Sequence, residues 1–274
     1  MKLDIALVQT RTPDTHEAAI AHVEPLIREA AARGATFILT PEGTNVLQQD
    51  RPKLMDMVAP LEADPVVARL RELARELGVT LLIGSASCRS PNAEQPSNRS
   101  VLVGPDGAIL ATYDKIHRFV ADLPGGEKAR ENETYRAGDA AVVGRAAFGG
   151  VGMTVCYDLR FPTLYRRLAQ AGADILTVPS AFAVATGRDH WEVLLRARAI
   201  ENGAYVLAPA QGGKHADGRS TYGRSMVVDP WGLVIAQASG DEPQVVLAQL
   251  DLDHVRRTRE ALPSLTHERE FAGP

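Results

Sequence analysis

Apolar and polar positions fall into blocks along this 274-residue chain, and the period of each block predicts an element. Leu3 to Val8 is a short apolar run of strand type. From His16 to Arg33 the Ala, Leu and Ile positions recur at helical spacing until Gly34 stops the pattern. Thr36 to Leu39 predicts a second strand, and Pro41-Glu42-Gly43 directly after it leaves one carboxylate at a strand end. Pro65 to Leu77 is amphipathic, with Val66, Leu70, Leu73 and Leu77 opposite Arg69, Arg71, Glu72, Arg75 and Glu76. Val79 to Ser85 follows as a strand after Gly78. Strands alternating with helices imply an α/β protein, a sheet covered by helices.

The pattern then changes. Between Ser97 and Tyr113 two apolar runs flank Pro105-Asp106-Gly107 as a hairpin, and Asp114-Lys115-Ile116-His117 breaks the run at its far end. Ala121 to Gly138 is polar, rich in Gly and Glu, and predicts a long loop, which in a compact domain is usually functional. In GMTVCYDLRFP, Gly152 to Pro162, the run of Val151, Met153, Thr154 and Val155 predicts a buried strand. That strand delivers Cys156 to its carboxyl end, before a polar turn and a helix over Thr163 to Ala171. Asp174 to Val178 (strand), His190 to Asn202 (helix) and Tyr205 to Ala208 (strand) continue the alternation. A second hairpin around Asp229-Pro230-Trp231-Gly232 matches the first, with Ser100 and Ser225 each five residues before the turn proline. This is a faint internal repeat of two similar halves. Gln244 to Leu250 is the last strand, and a charged helix and polar tail follow from Leu252.

Composition narrows the classes. With 45% apolar and 23% charged residues the chain reads as globular, and no stretch rich in Pro, Gly and Ser divides it, so residues 1–274 are expected to be a single domain. A formal charge of -4 argues against nucleic acid or an anionic membrane as partner. The longest apolar stretch, Ile175 to Ala185, is too short to span a bilayer, and the amino terminus lacks a signal-peptide pattern. Cys88 and Cys156 are too few for a disulfide framework, so a reducing, cytoplasmic setting is expected. The seven histidines show no metal-ligand spacing and no phosphate-binding loop is present, so no metal or cofactor is expected.

Candidate chemistry collects at strand ends. A cysteine on an apolar strand is more often core filler than reactive group. Here, however, Glu42, Lys115 and Cys156 each lie just beyond the carboxyl end of a strand, the edge where α/β sheets gather ligands. A carboxylate can take a thiol proton, an ammonium favours thiolate and holds a developing oxyanion, and sulfur attacks an electrophilic carbon. Singly, Glu42 reads as a solvated turn residue and Lys115 as the surface partner of Asp114, while a cysteine-protease pair of His117 with Cys156 lacks the local signatures of such proteases.

Taken together, PEG (Pro41 to Gly43), YDKIHRF (Tyr113 to Phe119) and GMTVCYDLRFP resemble the three signature regions of the nitrilase, or carbon-nitrogen hydrolase, superfamily. VPSAF (Val178 to Phe182), His190 to Gln211 and YGRSMVVDPWG (Tyr222 to Gly232) are similar to its Nit branch of small amidases, among them those acting on deaminated glutathione and on ω-amides. The resemblance implies a four-layer α-β-β-α sandwich that pairs as a homodimer or larger, with a tail from about residue 253 lying on the partner. It also implies a thiol amidase that turns a small ω-amide into acid and ammonia through a thioester. Glu42 would be the general base, Cys156 the nucleophile, and Lys115, with the backbone N–H of Tyr157, the oxyanion support. A further loop glutamate fits Glu131 best, with Glu127 and Glu133 close by. Arg160 can meet a substrate carboxylate, Asp158 or a subunit neighbour, and His190 is a second candidate for substrate contact. Arg224 and Gly212 stand where relatives usually show histidine and often cysteine, so the resemblance does not fix the side-chain specificity. The alternatives are an N-carbamoyl amino acid hydrolase, a nitrile hydrolase or a catalytically silent binding homologue.

Overall fold

Strand β1 (Lys2–Gln9) buries Leu3, Ile5 and Leu7 on one face and Ala6 and Val8 on the other, so both faces of its sheet must be covered. The computed structural model describes residues 1–90, 93–123 and 128–273. Thr15 caps α1 (His16–Ala32), which leads to the parallel strand β2 (Phe37–Leu39). After α2 (Arg51–Met57), Asp64 caps α3 (Pro65–Leu77) and Gly78 ends it in the left-handed conformation, where its lack of a Cβ is needed. Parallel β3 (Thr80–Cys88) follows, and then antiparallel β4 (Ser97–Val103) and β5 (Ile109–Asp114).

The expected loop from Ala121 to Gly138 is a correction. Its described part contains a hairpin of β6 (Val120–Asp122) with β7 (Lys128–Arg130), and one helical turn, α4 (Glu131–Thr134). Three-residue strands are too short for their periodicity to show in a polar sequence.

The second half repeats the first. β8 (Val142–Ala146) pairs antiparallel with β9 (Gly149–Met153), a 3-10 turn spans Cys156–Arg160, and α5 (Pro162–Gln170) leads to parallel β10 (Ile175–Thr177). Helix α6 (Val184–Asn202) leads to parallel β11 (Tyr205–Ala208). It starts at Val184, not His190, and the ring of Tyr222 packs on Gly187 where a Cβ would come within 2.4 Å. A small hairpin, β12 (Gly212–Lys214) and β13 (Ser220–Tyr222), precedes antiparallel β14 (Met226–Val228) and β15 (Val234–Gln237). β16 (Gln244–Asp251) returns to pair with β1 along its whole length, and α7 (Leu252–Ala261) closes the order.

The sheet orders are β16-β1-β2-β3-β4-β5 and β8-β9-β10-β11-β14-β15, read from corresponding edges. Each has an antiparallel outer strand, three parallel strands joined through helices, and a terminal hairpin. The two sheets face one another: Phe37 and Phe148 pack with ring centroids 4.9 Å apart, and Ile5, Leu39 and Leu102 share one core with Val151, Met153 and Leu176. The opposite face of the first sheet (Ile38, Leu81, Val101) buries against α1 and α3 through Val23, Ile27, Leu70 and Leu73. On the far side α5 and α6 cover the second sheet with Leu164, Leu168, Trp191 and Leu195. The result is a four-layer α-β-β-α sandwich, as the resemblance implies.

Candidate active site

Glu42 follows β2, Lys115 follows β5 and Cys156 follows β9, and all three meet at one edge between the facing sheets. The approach of the chain segments there is close. A Cβ on Gly84 of β3 would come within 2.0 Å of the Thr40 carbonyl and 2.6 Å of Pro179 Cβ, so only glycine lets these segments converge.

Cys156 stands at a strained turn, with φ +47°, a conformation that costs a non-glycine residue about 1–3 kcal/mol. Asp158, fully buried, holds the turn. Its Oδ2 accepts from the Val155 N–H at 2.8 Å and the Tyr113 hydroxyl at 2.7 Å. Its Oδ1 accepts from the His117 backbone N–H at 3.0 Å and meets His117 Nδ1 at 2.7 Å. One carboxylate therefore ties the Cys156 turn to the end of β5 that carries Lys115. His117 is thereby taken by Asp158 and stacked on Phe161, not paired with Cys156. Asp114, in turn, pairs with Arg99 at 2.6 Å, so Lys115 is not its surface partner.

Lys115 is buried, and its ammonium donates to Glu42 Oε1 at 2.9 Å and to both Glu131 oxygens at 2.9 and 2.8 Å. Glu131 also accepts from the Phe119 N–H at 2.6 Å, and Glu42 Oε2 accepts from the Ala181 N–H at 2.8 Å. Of the loop glutamates, Glu131 faces the lysine, Glu133 is exposed, and Glu127 lies outside the described residues. Sequence reasoning missed two supports. Asn98 of β4 donates to Glu42 and Glu131 at 2.9 and 3.2 Å. Gln211 donates to the Glu42 carbonyl at 2.9 Å while accepting from Thr10 and the Thr12 N–H. The signal for Asn98 was a polar amide inside a strand, where Asn is depleted.

Burial pushes the Glu42 carboxyl up, but Lys115, the Cys156 thiol and the Ala181 N–H outweigh it and hold the carboxyl below its ordinary range. Burial works against the Lys115 charge, yet Glu131 and Glu42 hold the ammonium well above its ordinary value. Burial and the Glu42 charge push the Cys156 thiol well above its usual range, against the pull of Lys115. Lys115 does favour thiolate, as expected, but burial and the facing carboxylates outweigh it and hold the thiol in its protonated form.

Phe119, Tyr157, Arg160, Phe182 and Thr186 join Cys156 in lining a partly open cavity. The Arg160 guanidinium lies 5.4 Å from the Phe182 ring centroid and 5.8 Å from that of Tyr157, and it donates to His190 Nδ1 at 3.2 Å. Arg160 does not pair with Asp158, whose oxygens are already filled, and exposed His190 reaches the cavity only through Arg160. Among the described residues none accepts from the Tyr157 N–H, at the base of this cavity. Arg224 adopts φ +57° and lies over Tyr222, while its carbonyl accepts from Trp191 Nε1. Gly212 is packed too tightly against the Asp241 carbonyl, 2.1 Å from an added Cβ, to accept the cysteine common in relatives. Cys88 is buried in the core beneath α1 and α3, its thiol pushed up to about 12 by burial. Among the described residues no group of His, Cys, Asp and Glu is arranged to hold a metal ion, and no helix is long and apolar enough to cross a membrane.

The carbon-nitrogen hydrolase family profile matches residues 4–260. A deaminated glutathione amidase of Synechocystis sp. is 39% identical over 268 residues, 97% of each chain. The crystal structure of the C. elegans NitFhit protein superposes with a TM-score of 0.90 at 35% identity, covering 98% of this chain and 65% of that one, so this chain spans just under two thirds of NitFhit. An amidase from Nesterenkonia sp. AN1, 28% identical with a TM-score of 0.77, covers 95% of this chain and 98% of its own. That structure, of a glutamate-to-glutamine variant, shows the result of Michael addition of acrylamide at the active-site cysteine.

Proposed function

Because the chain belongs to the carbon-nitrogen hydrolase family, whose members break C–N bonds outside peptides, we propose that it is a thiol amidase for a short ω-amide bearing a remote carboxylate, of the deaminated glutathione type. The observation that carries this reading is the convergence of Glu42, Lys115 and Cys156 on a cavity with an arginine in its wall. The substrate carboxamide lies over Cys156. Its carboxylate meets Arg160, and its carbon chain runs between Phe119, Tyr157 and Phe182.

As the C–S bond forms, the thiol proton passes to Glu42. The carbonyl oxygen, now negative, takes the Tyr157 N–H. The Lys115 donors are committed to carboxylates in the resting site, but once Glu42 is protonated its hold on the ammonium weakens and one donor turns to the oxyanion. Glu42 then gives its proton to the nitrogen, the C–N bond breaks and ammonia leaves. Water next loses a proton to Glu42 and attacks the thioester carbon, the C–S bond breaks, and the proton returns to sulfur. Glu131 keeps Lys115 charged throughout.

The test is ammonia release from a panel of ω-amides, neutral amides, N-carbamoyl amino acids and nitriles, with intact mass to find a Cys156 adduct. Ammonia from ω-amides, abolished by Cys156→Ala, is expected. Equal behaviour of parent and Cys156→Ala would end the proposal.

The same reading makes residues 1–274 one catalytic domain of a cytoplasmic homo-oligomer. Two buried free cysteines suit a reducing compartment. Exposed Val193 and Ile200 on α6 adjoin exposed Trp231 and Leu233, and the tail leaves Phe271 90% exposed, surfaces suited to a second copy.

A further inference from the structure

The carboxylates of Glu42 and Glu131 approach one another at the buried edge of β4, and two nitrogens bridge them. Lys115 Nζ lies 2.9 Å from the Oε1 atom of each. On β4, Asn98 Nδ2 lies 2.9 Å from Glu42 Oε1 and 3.2 Å from Glu131 Oε1. The orientation of the Asn98 amide follows, since two carboxylate oxygens can only accept. Asn98 is 7% exposed, and it sits in the network through its backbone as well, where its carbonyl accepts from the Lys115 N–H at 2.9 Å.

We propose that Asn98 is a positioning residue that uses both amide hydrogens to keep Glu42 and Glu131 ionised and apart, so that Glu42 stays free to take the Cys156 proton. The proposal rests on the amidase reading above. Two buried carboxylates that close together otherwise share one proton, and a carboxyl holding that proton is no base. Lys115 supplies the positive charge but has only three hydrogens, already spread over three oxygens. Asn98 adds donors without adding charge, which a second lysine could not do without ionising the thiol at rest. The charged and titratable groups facing the pair are Lys115 after β5, Cys156 after β9, and Tyr135, whose hydroxyl is bonded to Ser87 of β3. Lys115 Nζ shares the space between the two Oε1 atoms with Asn98 Nδ2, and Asn98 is the uncharged donor there.

Two variants keep the volume and remove the donors: Asn98→Leu, and the isosteric Asn98→Asp, which also places a third acceptor there. With each, kcat/KM for the best ω-amide is followed from pH 5 to 9. Alkylation of Cys156 by iodoacetamide is followed over the same range by intact mass. Alkylation needs no substrate, yet it draws on the same carboxylate to take the thiol proton. The acid limb of both profiles is expected to rise by about one pH unit or more in Asn98→Leu, and further in Asn98→Asp. A lower rate with acid limbs unmoved from the parent would overturn the proposal and leave Asn98 a packing residue. If no amide releases ammonia from the parent, the amidase reading fails while the alkylation profiles still decide the role of Asn98. If Asn98→Leu does not fold, Asn98→Asp carries the same comparison.

Discussion

Replacing Lys115 by methionine removes the cation and little of the volume, and strands two carboxylates. The side chains of Lys115, Glu42 and Glu131 are 3%, 10% and 13% exposed, so solvent takes over little of the lost interaction. Breaking a buried ion pair from one side costs about 3–5 kcal/mol. With a urea slope near 3 kcal/mol/M, the midpoint should fall by about 1–1.7 M at pH 8. The pH dependence is more specific. In the parent, Glu42 has a lowered value, so its contribution is complete above the ordinary carboxyl range and is lost only as pH falls through the lowered value. Lys115 has a raised value, so its contribution is complete below the ordinary ammonium range and is lost only as pH rises through the raised one. Between pH 5 and 8, therefore, these groups give the parent a flat profile. In Lys115→Met the sign reverses: the paired carboxyls bind a proton more tightly folded than unfolded, so stability falls as pH rises. The deficit at pH 8 should exceed that at pH 5 by about 1.4 kcal/mol for each unit by which the shared proton's folded value lies above pH 5, since the unfolded carboxyls, near about 4.3, have already lost theirs there. Circular dichroism across urea at the two pH values reads both quantities. Removing one stranded charge as well, in Lys115→Met with Glu131→Gln, should recover at least about 1 kcal/mol relative to the sum of the single changes. Equal deficits at pH 5 and 8, or a loss below about 1 kcal/mol, would refute the coupled cluster.

Arg160→Ala should reduce kcat/KM about 10- to 150-fold for carboxylate-bearing ω-amides, the value of one charge-assisted hydrogen bond of about 1.5–3 kcal/mol, while neutral amides of equal length lose far less. Parallel losses for both substrate types would remove Arg160 from substrate recognition. Light scattering of the full chain should give the mass of two copies or more, and a single-chain mass would refute the homo-oligomer.

The fold was largely legible because its determinants are local. Gly78 ends α3 where the amphipathic pattern stops, and the two Pro-x-Gly turns mark hairpins that occupy corresponding edges of the two sheets. What was hidden depends on distant residues. Helix α6 runs back to Val184, and Gly187 in its first turns packs against the Tyr222 ring, a contact 35 residues away that no window around Gly187 contains. β16 completes the first sheet from the other end of the chain, and nothing near Gln244 announces β1 as its partner.

The site divides along the same line. A residue type at a strand end states what a group can do, and by that rule Glu42, Lys115 and Cys156 could be singled out together. A protonation state depends instead on how many charges surround the group. Reading Lys115 as the nearest charge to Cys156 gives a thiolate, whereas counting Glu42, Glu131 and Lys115 gives a surplus negative charge and a buried thiol. The count turns on Glu131, which lies on a one-turn helix. On the proposed reading the thiol keeps its proton at rest and passes it to Glu42 as the C–S bond forms. An arrangement of that kind protects a buried thiol from oxidation between turnovers, since the thiolate is the reactive form. On the proposals above, the two neutral donors of Asn98 support Glu42 alongside the charge of Lys115.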